Sequence, residues 1–345
     1  MFELEIAGRK IGDQHPTFVI AEIGINHGGL LSVAKEMVDS AKRAGAEVIK
    51  HQTHVLDDEM SGSAKKIIPG NTDKSIYQVM EDCSLTLEEE IELKHYIEMQ
   101  GLLYISTPFS RAAADFLMEQ NVPAFKIGSG ECNNFPLIEH VAGFGKPIIL
   151  STGMNDIKTV DKAVEIMEKA NIRYGLLHCT NLYPTPPELI RLGAISQMRS
   201  HYSNAVIGLS DHSLDNYACF GAVAVGANII ERHYTDHKQR LGPDIVCSMD
   251  ERELKELIHG CDVIRRARFG DKTLLEEEQV TRDFAYASVV AIRDIKAGDV
   301  LTKDNIWVKR PGTGELSAAD YKEVLGKKAT CDIANDKMLK LADYE

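Results

Sequence analysis

The sequence predicts a (β/α)8 barrel followed by a small, mainly β domain, and three observations carry that prediction. Eight short apolar runs recur at 18–24, 48–53, 103–107, 124–129, 147–152, 174–180, 205–212 and 229–233. Parallel strands covered on both faces read as continuous apolar stretches of this kind. Between the runs lie segments of helical period, among them 31–45, 87–101, 157–170 and 251–266, and an eightfold strand and helix alternation is the pattern of a barrel of about 250 residues. Finally, each run ends in polar, chemically useful residues, the last two in His212 and His233. In such barrels the chemistry gathers at the C-terminal ends of the strands, so these residues are expected to share one mouth.

Taken in order, the first helical segment ends at Gly45, a C-cap before the second strand. The stretch from Val55 to Asp82 is too long for an ordinary βα connection, and long loops tend to be functional. Its Pro69-Gly70-Asn71 turn would place Asn71 over the mouth. Beyond about residue 270 the pattern changes to short β-like runs at 288–292 and 306–310 with turn chemistry between them. The expected organisation is a barrel over 1–270, a charged linker over 271–282 and a small domain over 283–345, the last offering Arg310 beside a glycine-rich turn.

The bulk numbers restrict the function. A net charge of −13 argues against non-specific nucleic-acid binding and requires that an anionic substrate find a local cationic pocket. There is no uninterrupted apolar stretch of membrane-spanning length and no basic-then-apolar N-terminal pattern, so a cytoplasmic protein is expected. Seven cysteines without a CxxC pair read as reduced thiols, with Cys179, Cys219 and Cys247 as packing residues.

Three constellations could do chemistry. His212 and His233 end neighbouring strands about 4.8 Å apart, so both imidazoles can reach one divalent ion; the alternative is a pair of pocket histidines holding hydroxyls. Lys50 and Lys126 end strands two and four, and Thr107, Ser129, Ser151 and Ser210 end strands three, four, five and seven. Together they suit a phosphate or carboxylate, with Gly128 and Gly130 allowing close backbone approach. Structural ion pairing, or an imine-forming lysine, remain open for either lysine. The acids are Glu22, Glu131, Asp211, Glu231 and Asp244, of which Glu231 shares a strand face with His233. Tyr183 and Asn181 lie on a proline-stiffened loop after strand six and could form a pocket wall.

Several motifs then occur in order: residues 21–27, 49–54, 106–111, 125–134, 150–154, 209–212, 231–233 and 242–250 resemble the bacterial sialic acid synthases, and 284–290 with 307–312 resemble the antifreeze-like (SAF) domain that follows their barrel. The resemblance spans essentially the whole chain. It implies condensation of phosphoenolpyruvate with open-chain N-acetylmannosamine and water, giving N-acetylneuraminate and phosphate. By this resemblance Lys50, Asn71, Thr107, Lys126, Ser129, Ser151 and Ser210 hold phosphoenolpyruvate. Glu22, Gln52, Asn181, Tyr183 and Asp244 line the sugar side, and Glu22 or Asp244 moves the proton. His212 and His233 hold Mn²⁺, with Mg²⁺ or Co²⁺ as alternatives, acting as a Lewis acid on the aldehyde. A domain-swapped homodimer is implied, Arg310 reaching sugar bound in the other subunit. Acceptance of a 2,4-diacetamido-2,4,6-trideoxymannose, as in legionaminic acid synthases, is the nearest alternative, and His51 and His54 lean toward the N-acetylmannosamine enzymes. More distant readings are a lysine-imine lyase and an ice- or partner-binding tail, the latter disfavoured by charges such as Lys303, Asp304, Lys309 and Glu315.

Overall fold

The computed structural model describes residues 2–68 and 73–345; Asn71 lies outside the described residues. An antiparallel hairpin of β1 (Leu4–Ile6) and β2 (Arg9–Ile11) precedes eight parallel strands. These are β3 (Phe18–Gly24), β4 (Val48–Thr53), β5 (Leu103–Pro108), β6 (Phe125–Ile127), β7 (Ile148–Ser151), β8 (Tyr174–Cys179), β9 (Val206–Asp211) and β10 (Ile229–His233). They close into a barrel in chain order, β10 pairing with β3 so that His233 lies opposite Glu22. All eight apolar runs form these strands.

The alternation of side chains along each strand sorts the residues into two sets. Outward-facing Ile23, Ile49, Phe125, Leu150, Leu176 and Ile230 pack with Met37, Leu93, Leu117, Val160 and Leu254 of the surrounding helices into the main core. The helices expected from periodicity occupy Leu31–Ala44, Leu87–Met99, Ile157–Lys169 and Glu251–Ala267. Gly45 caps the first with φ 94°, a left-handed conformation that glycine adopts without steric cost. Thr86 with Glu89 and Asp250 with Glu253 form reciprocal capping boxes at two others.

Inward-facing side chains change character along the barrel axis. At the N-terminal end Ile20, Val48, Ile105, Ile149, Leu177, Val206 and Ile229 form an apolar layer, sealed from below by Leu4, Ile6 and Ile11 of the hairpin. The hairpin end is tied down by Asp13, which pairs with Arg199 at 3.0 Å and Arg268 at 2.7 Å. One layer higher the interior becomes polar, and the site begins there.

The Val55–Asp82 insertion carries secondary structure of its own: the helix Leu56–Glu59, a 3-10 turn at Gly62–Lys66 and the helix Ile76–Cys83, started by a Ser75–Gln78 capping box. Among the described residues no helix is long and apolar enough to cross a membrane.

Internal contacts divide the chain into units of 1–269 and 270–345. In the second unit β11 (Ser288–Ala291) and β12 (Ile306–Lys309) pair antiparallel, and isolated bridges such as Val290 with Met338 and Ile295 with Ile333 extend the β framework. Its own core includes Val289, Leu301, Ile306, Leu316 and Leu339. The charged stretch expected as a linker contains a 3-10 turn at Glu276–Glu278 and the helix Gln279–Ala285.

Candidate active site

Above the apolar layer, β3, β4, β6 and β10 contribute Glu22, Lys50, Lys126 and Glu231, all buried. Lys50 Nζ lies 2.8 Å from Glu22 Oε2 and 3.8 Å from Glu231 Oε1, and Lys126 Nζ lies 3.5 Å from the same Glu231 oxygen. The order Glu22, Lys50, Glu231, Lys126 alternates in sign. Burial pushes all four toward their neutral forms, and the neighbours decide the outcome. Burial and the nearby Glu231 raise Glu22 to about 7 against the pull of Lys50. Glu231 is held below its ordinary value because Lys126 and Lys50 outweigh its burial. Glu22 and Glu231 likewise lift Lys50, whereas Lys126 is depressed by burial and by Lys50. The lysines are therefore shared with carboxylates inside the pocket, and an incoming anion competes for them.

Hydroxyls complete this floor. Lys50 donates to Thr107 Oγ1 at 3.1 Å, Lys126 donates to Ser151 Oγ at 2.7 Å and to the Ile127 carbonyl at 3.1 Å, and Ser210 donates to Glu231 Oε1 at 3.1 Å. Ser129 opens a 3-10 turn after β6, and its Oγ accepts from the Gly153 amide at 3.0 Å. The two acids, the two lysines and the four hydroxyls line one cavity of about 150 Å³, together with Gln52, Phe109, Cys179, Asn181, Tyr183, His212 and His233. Phe109 and Gly153 carry no role in the sequence analysis, whereas Cys179 is expected there as a packing residue. Burial pushes the Cys179 thiol up to about 11, so it serves as neutral packing. An outer chamber of about 590 Å³ shares Gln52, Phe109, Tyr183 and His233 with this cavity and adds Asp244, Ile76, Val79, Met80 and Pro243. A cavity of about 510 Å³ at the opposite end of the barrel is lined by Arg9 and Glu47, already paired at 2.8 Å, and holds none of these groups.

The two strand-end histidines converge, their ring centroids 5.5 Å apart, with Tyr183 stacked on His212 at 4.1 Å. His212 Nδ1 lies 3.0 Å from the Thr180 carbonyl. A carbonyl only accepts, so the proton sits on Nδ1 and Nε2 keeps its lone pair. Burial, reinforced by His233, lowers His212 to about 4, and burial, reinforced by Lys50, lowers His233 to about 3. Both are neutral at pH 7, as metal ligands must be. His233 Nδ1 is buried without a hydrogen-bond partner, and Asp244 Oδ2 is 3.8 Å from it. Among the described residues no three His, Cys, Asp or Glu side chains form a ready cage. The donor set thus fits a cation held by two imidazoles with its remaining positions open to water and substrate.

Other candidates fall elsewhere. Asp211 sits between Ser210 and His212 in sequence but faces outward, 3.2 Å from the buried Arg232. Glu131 accepts from Asn134 and lines a neighbouring cleft instead. His51 also faces outward, where His27 Nε2 approaches its Nε2 at 3.0 Å and Glu90 its Nδ1 at 3.7 Å. Arg310 is exposed on the 270–345 unit.

With this geometry in view, comparison with known proteins is decisive: residues 37–273 match the NeuB family and residues 286–345 the SAF domain. The chain belongs to the NeuB family. It is 34% identical to the human N-acetylneuraminate-9-phosphate synthase over 97% of this chain and 94% of that protein. It is also 34% identical to the N,N'-diacetyllegionaminic acid synthase of Campylobacter jejuni, over 94% of this chain and 99% of that protein. The crystal structure of an N-acetylneuraminic acid synthetase from Leptospira borgpetersenii, in complex with citrate, superposes with a TM-score of 0.74 at 33% identity, covering 81% of this chain and 94% of that one. This NeuB-family chain is an enzyme of the sialic-acid-synthase type, a barrel followed by a SAF domain. Equal identity to two relatives with different products leaves the acceptor to be argued from the site.

Proposed function

We propose that the chain condenses phosphoenolpyruvate with open-chain N-acetylmannosamine and water to give N-acetylneuraminate and phosphate. The observation that carries this reading is the floor of two lysines and several hydroxyls placed directly below the paired imidazoles. Lys50, Lys126, Thr107, Ser129, Ser151 and Ser210 bind the phosphate and carboxylate of phosphoenolpyruvate; Asn71 joins them by family resemblance. Gln52, Asn181, Tyr183 and Asp244 orient the sugar so that its aldehyde carbon meets the phosphoenolpyruvate methylene carbon, an arrangement that converts a bimolecular step into an effectively unimolecular one. A divalent cation, Mn²⁺ by preference, held by His212 and His233 would supply Lewis-acid polarisation of the aldehyde oxygen.

As the new C–C bond forms, the aldehyde oxygen gathers charge and takes a proton from the Glu22 carboxyl, whose value of about 7 leaves it partly protonated at neutral pH. Glu22 is assigned this role over Asp244 because it lies on the inner floor beside Lys50, whereas Asp244 borders the outer chamber. Water adds to the former enol carbon and returns its proton to the Glu22 carboxylate. The tetrahedral intermediate then collapses to the ketone, its C–O bond to phosphate breaking as the hydroxyl proton passes to the departing phosphate.

An imine mechanism is disfavoured at Lys126 although its depressed value would suit one. Ser151 Oγ, the Ile127 carbonyl and Glu231 Oε1 surround Nζ with three acceptors, a match for the three protons of an ammonium group.

The test is phosphate release from phosphoenolpyruvate on adding N-acetylmannosamine. It should be lost on chelation and restored by Mn²⁺, and borohydride with pyruvate should leave no adduct; metal-independent release or a trapped adduct would overturn the reading. One observation favours a second acceptor: Ile76, Val79, Met80 and Pro243 give the outer chamber an apolar wall suited to the deoxygenated, diacetamido sugar of legionaminic acid synthesis. Competition between the two sugars decides.

A further inference from the structure

His54 follows β4 with its side chain 2% exposed and both ring nitrogens engaged. Nδ1 lies 2.8 Å from Glu59 Oε2, and Nε2 lies 3.4 Å from Gln52 Oε1. Its ring is stacked on Phe109, with centroids 4.5 Å apart and planes within 9°. Gln52 in turn donates from Nε2 to Glu22 Oε1 at 2.8 Å.

We propose that His54, clamped by Glu59 and Phe109, is a positioning residue that fixes the Gln52 carboxamide and through it the Glu22 carboxyl. This rests on the reading of Glu22 and Gln52 given above.

The orientation of a glutamine amide is set by its neighbours, because oxygen and nitrogen are nearly the same size. Gln52 presents its NH₂ end to Glu22 Oε1, which turns its own Oε1 toward His54. Both ring nitrogens thus face oxygens, and the contacts form one chain: Nδ1 to Glu59, Nε2 to Gln52 Oε1, Gln52 Nε2 to Glu22. Without His54, nothing on that side distinguishes the two ends of the amide, and the long Gln52 side chain regains rotamer freedom. Phe109 holds the ring plane and itself lines both chambers, so His54 is packed against the pocket wall. A purely structural reading assigns His54 only to Glu59, as an anchor for the Leu56–Glu59 turn.

The two readings use different nitrogens, which makes them separable. Asparagine places its amide near the position of Nδ1 and glutamine near that of Nε2. If His54 acts through Gln52, His54→Asn should resemble His54→Ala, lowering kcat/KM for N-acetylmannosamine by about tenfold with the KM for phosphoenolpyruvate unchanged. His54→Gln should recover to within about threefold of the parent. Parental activity in His54→Asn, failure of His54→Gln to exceed His54→Ala, or a parallel rise in the KM for phosphoenolpyruvate would each overturn the proposal. Crystal structures of the variants test it without turnover. The Gln52 amide should leave Glu22 in His54→Asn and stay in His54→Gln; an undisturbed Gln52 in His54→Asn overturns the proposal. A parent that releases no phosphate sinks the proposed reaction instead, and the crystallographic comparison still stands.

Discussion

A Cβ added at Gly153 would overlap the Asn181 carboxamide oxygen and come within 2.8 Å of Ser129 Oγ, the atom to which the Gly153 amide donates. Substitution there cannot leave both side chains in place. Because misplacing a binding group by about 1 Å can cost up to about a hundredfold in rate, Gly153→Ala is expected to lower kcat/KM at least about tenfold while melting within a few degrees of the parent. Unchanged kinetics would remove Ser129 and Asn181 from the binding set. The need for this glycine could not be read from the sequence, because the residues it accommodates lie on two other loops. What could be read at this scale is the period of two. It separates Lys50, which faces the pocket, from His51, which faces the helices, and places Asp211 outward between inward Ser210 and His212. Strand ends alone marked all five as mouth residues; strict alternation would have distinguished them.

Two elements extend the argument beyond the site. The β1–β2 hairpin is too short to stand out in the sequence, yet Leu4, Ile6 and Ile11 are fully buried beneath the barrel. Truncating Ile6 to Ala should cost about 2–5 kcal/mol, seen as a lower melting temperature with kcat unchanged in the folded enzyme; a change in kcat at equal stability would show that the plug shapes the floor above it. The helix Leu87–Met99 brings Glu90 against β4, where Thr53 Oγ1 donates to Glu90 Oε2 at 2.7 Å and the other carboxyl oxygen is buried without a partner. Burial pushes Glu90 up to about 8 from an ordinary 4.5. Between these values the folded chain holds a proton that the unfolded chain has lost, so this group's contribution to stability falls as pH rises, by at most about 1.4 kcal/mol per pH unit. Glu90→Gln carries no such penalty. Its melting temperature should gain on the parent's progressively from pH 5 to pH 8. His27 and His51, both lowered to about 3 by burial, give the opposite slope, but they are present in both chains and cancel in the difference. A gap that stays constant across that range would mean Glu90 is ionised in the fold.

At the scale of the whole molecule, the barrel mouth is rimmed by exposed apolar side chains on successive βα loops: Met154 after β7, Leu182 after β8, Leu214 after β9 and Leu241 after β10, the last 94% exposed. The 270–345 unit carries exposed Tyr286 and Trp307 near Arg310. Apolar surface of this kind is costly to leave in water and commonly marks an interface; the homodimer expected from family resemblance, in which each small domain would close the other chain's barrel, is open to test. Two individually inactive variants test it. His212→Ala disables a barrel, and Arg310→Ala disables the closing residue. If closure is exchanged, a mixed dimer holds one doubly damaged site and one intact site, built from the barrel of the Arg310→Ala chain and the small domain of the His212→Ala chain. Equal mixing with full subunit exchange should then restore about a quarter of the parental rate, since half the dimers are mixed and half of their sites are whole. If each chain closes over its own barrel, every site in the mixture carries one lesion, and the rate should stay at the level of the separate variants however long exchange proceeds.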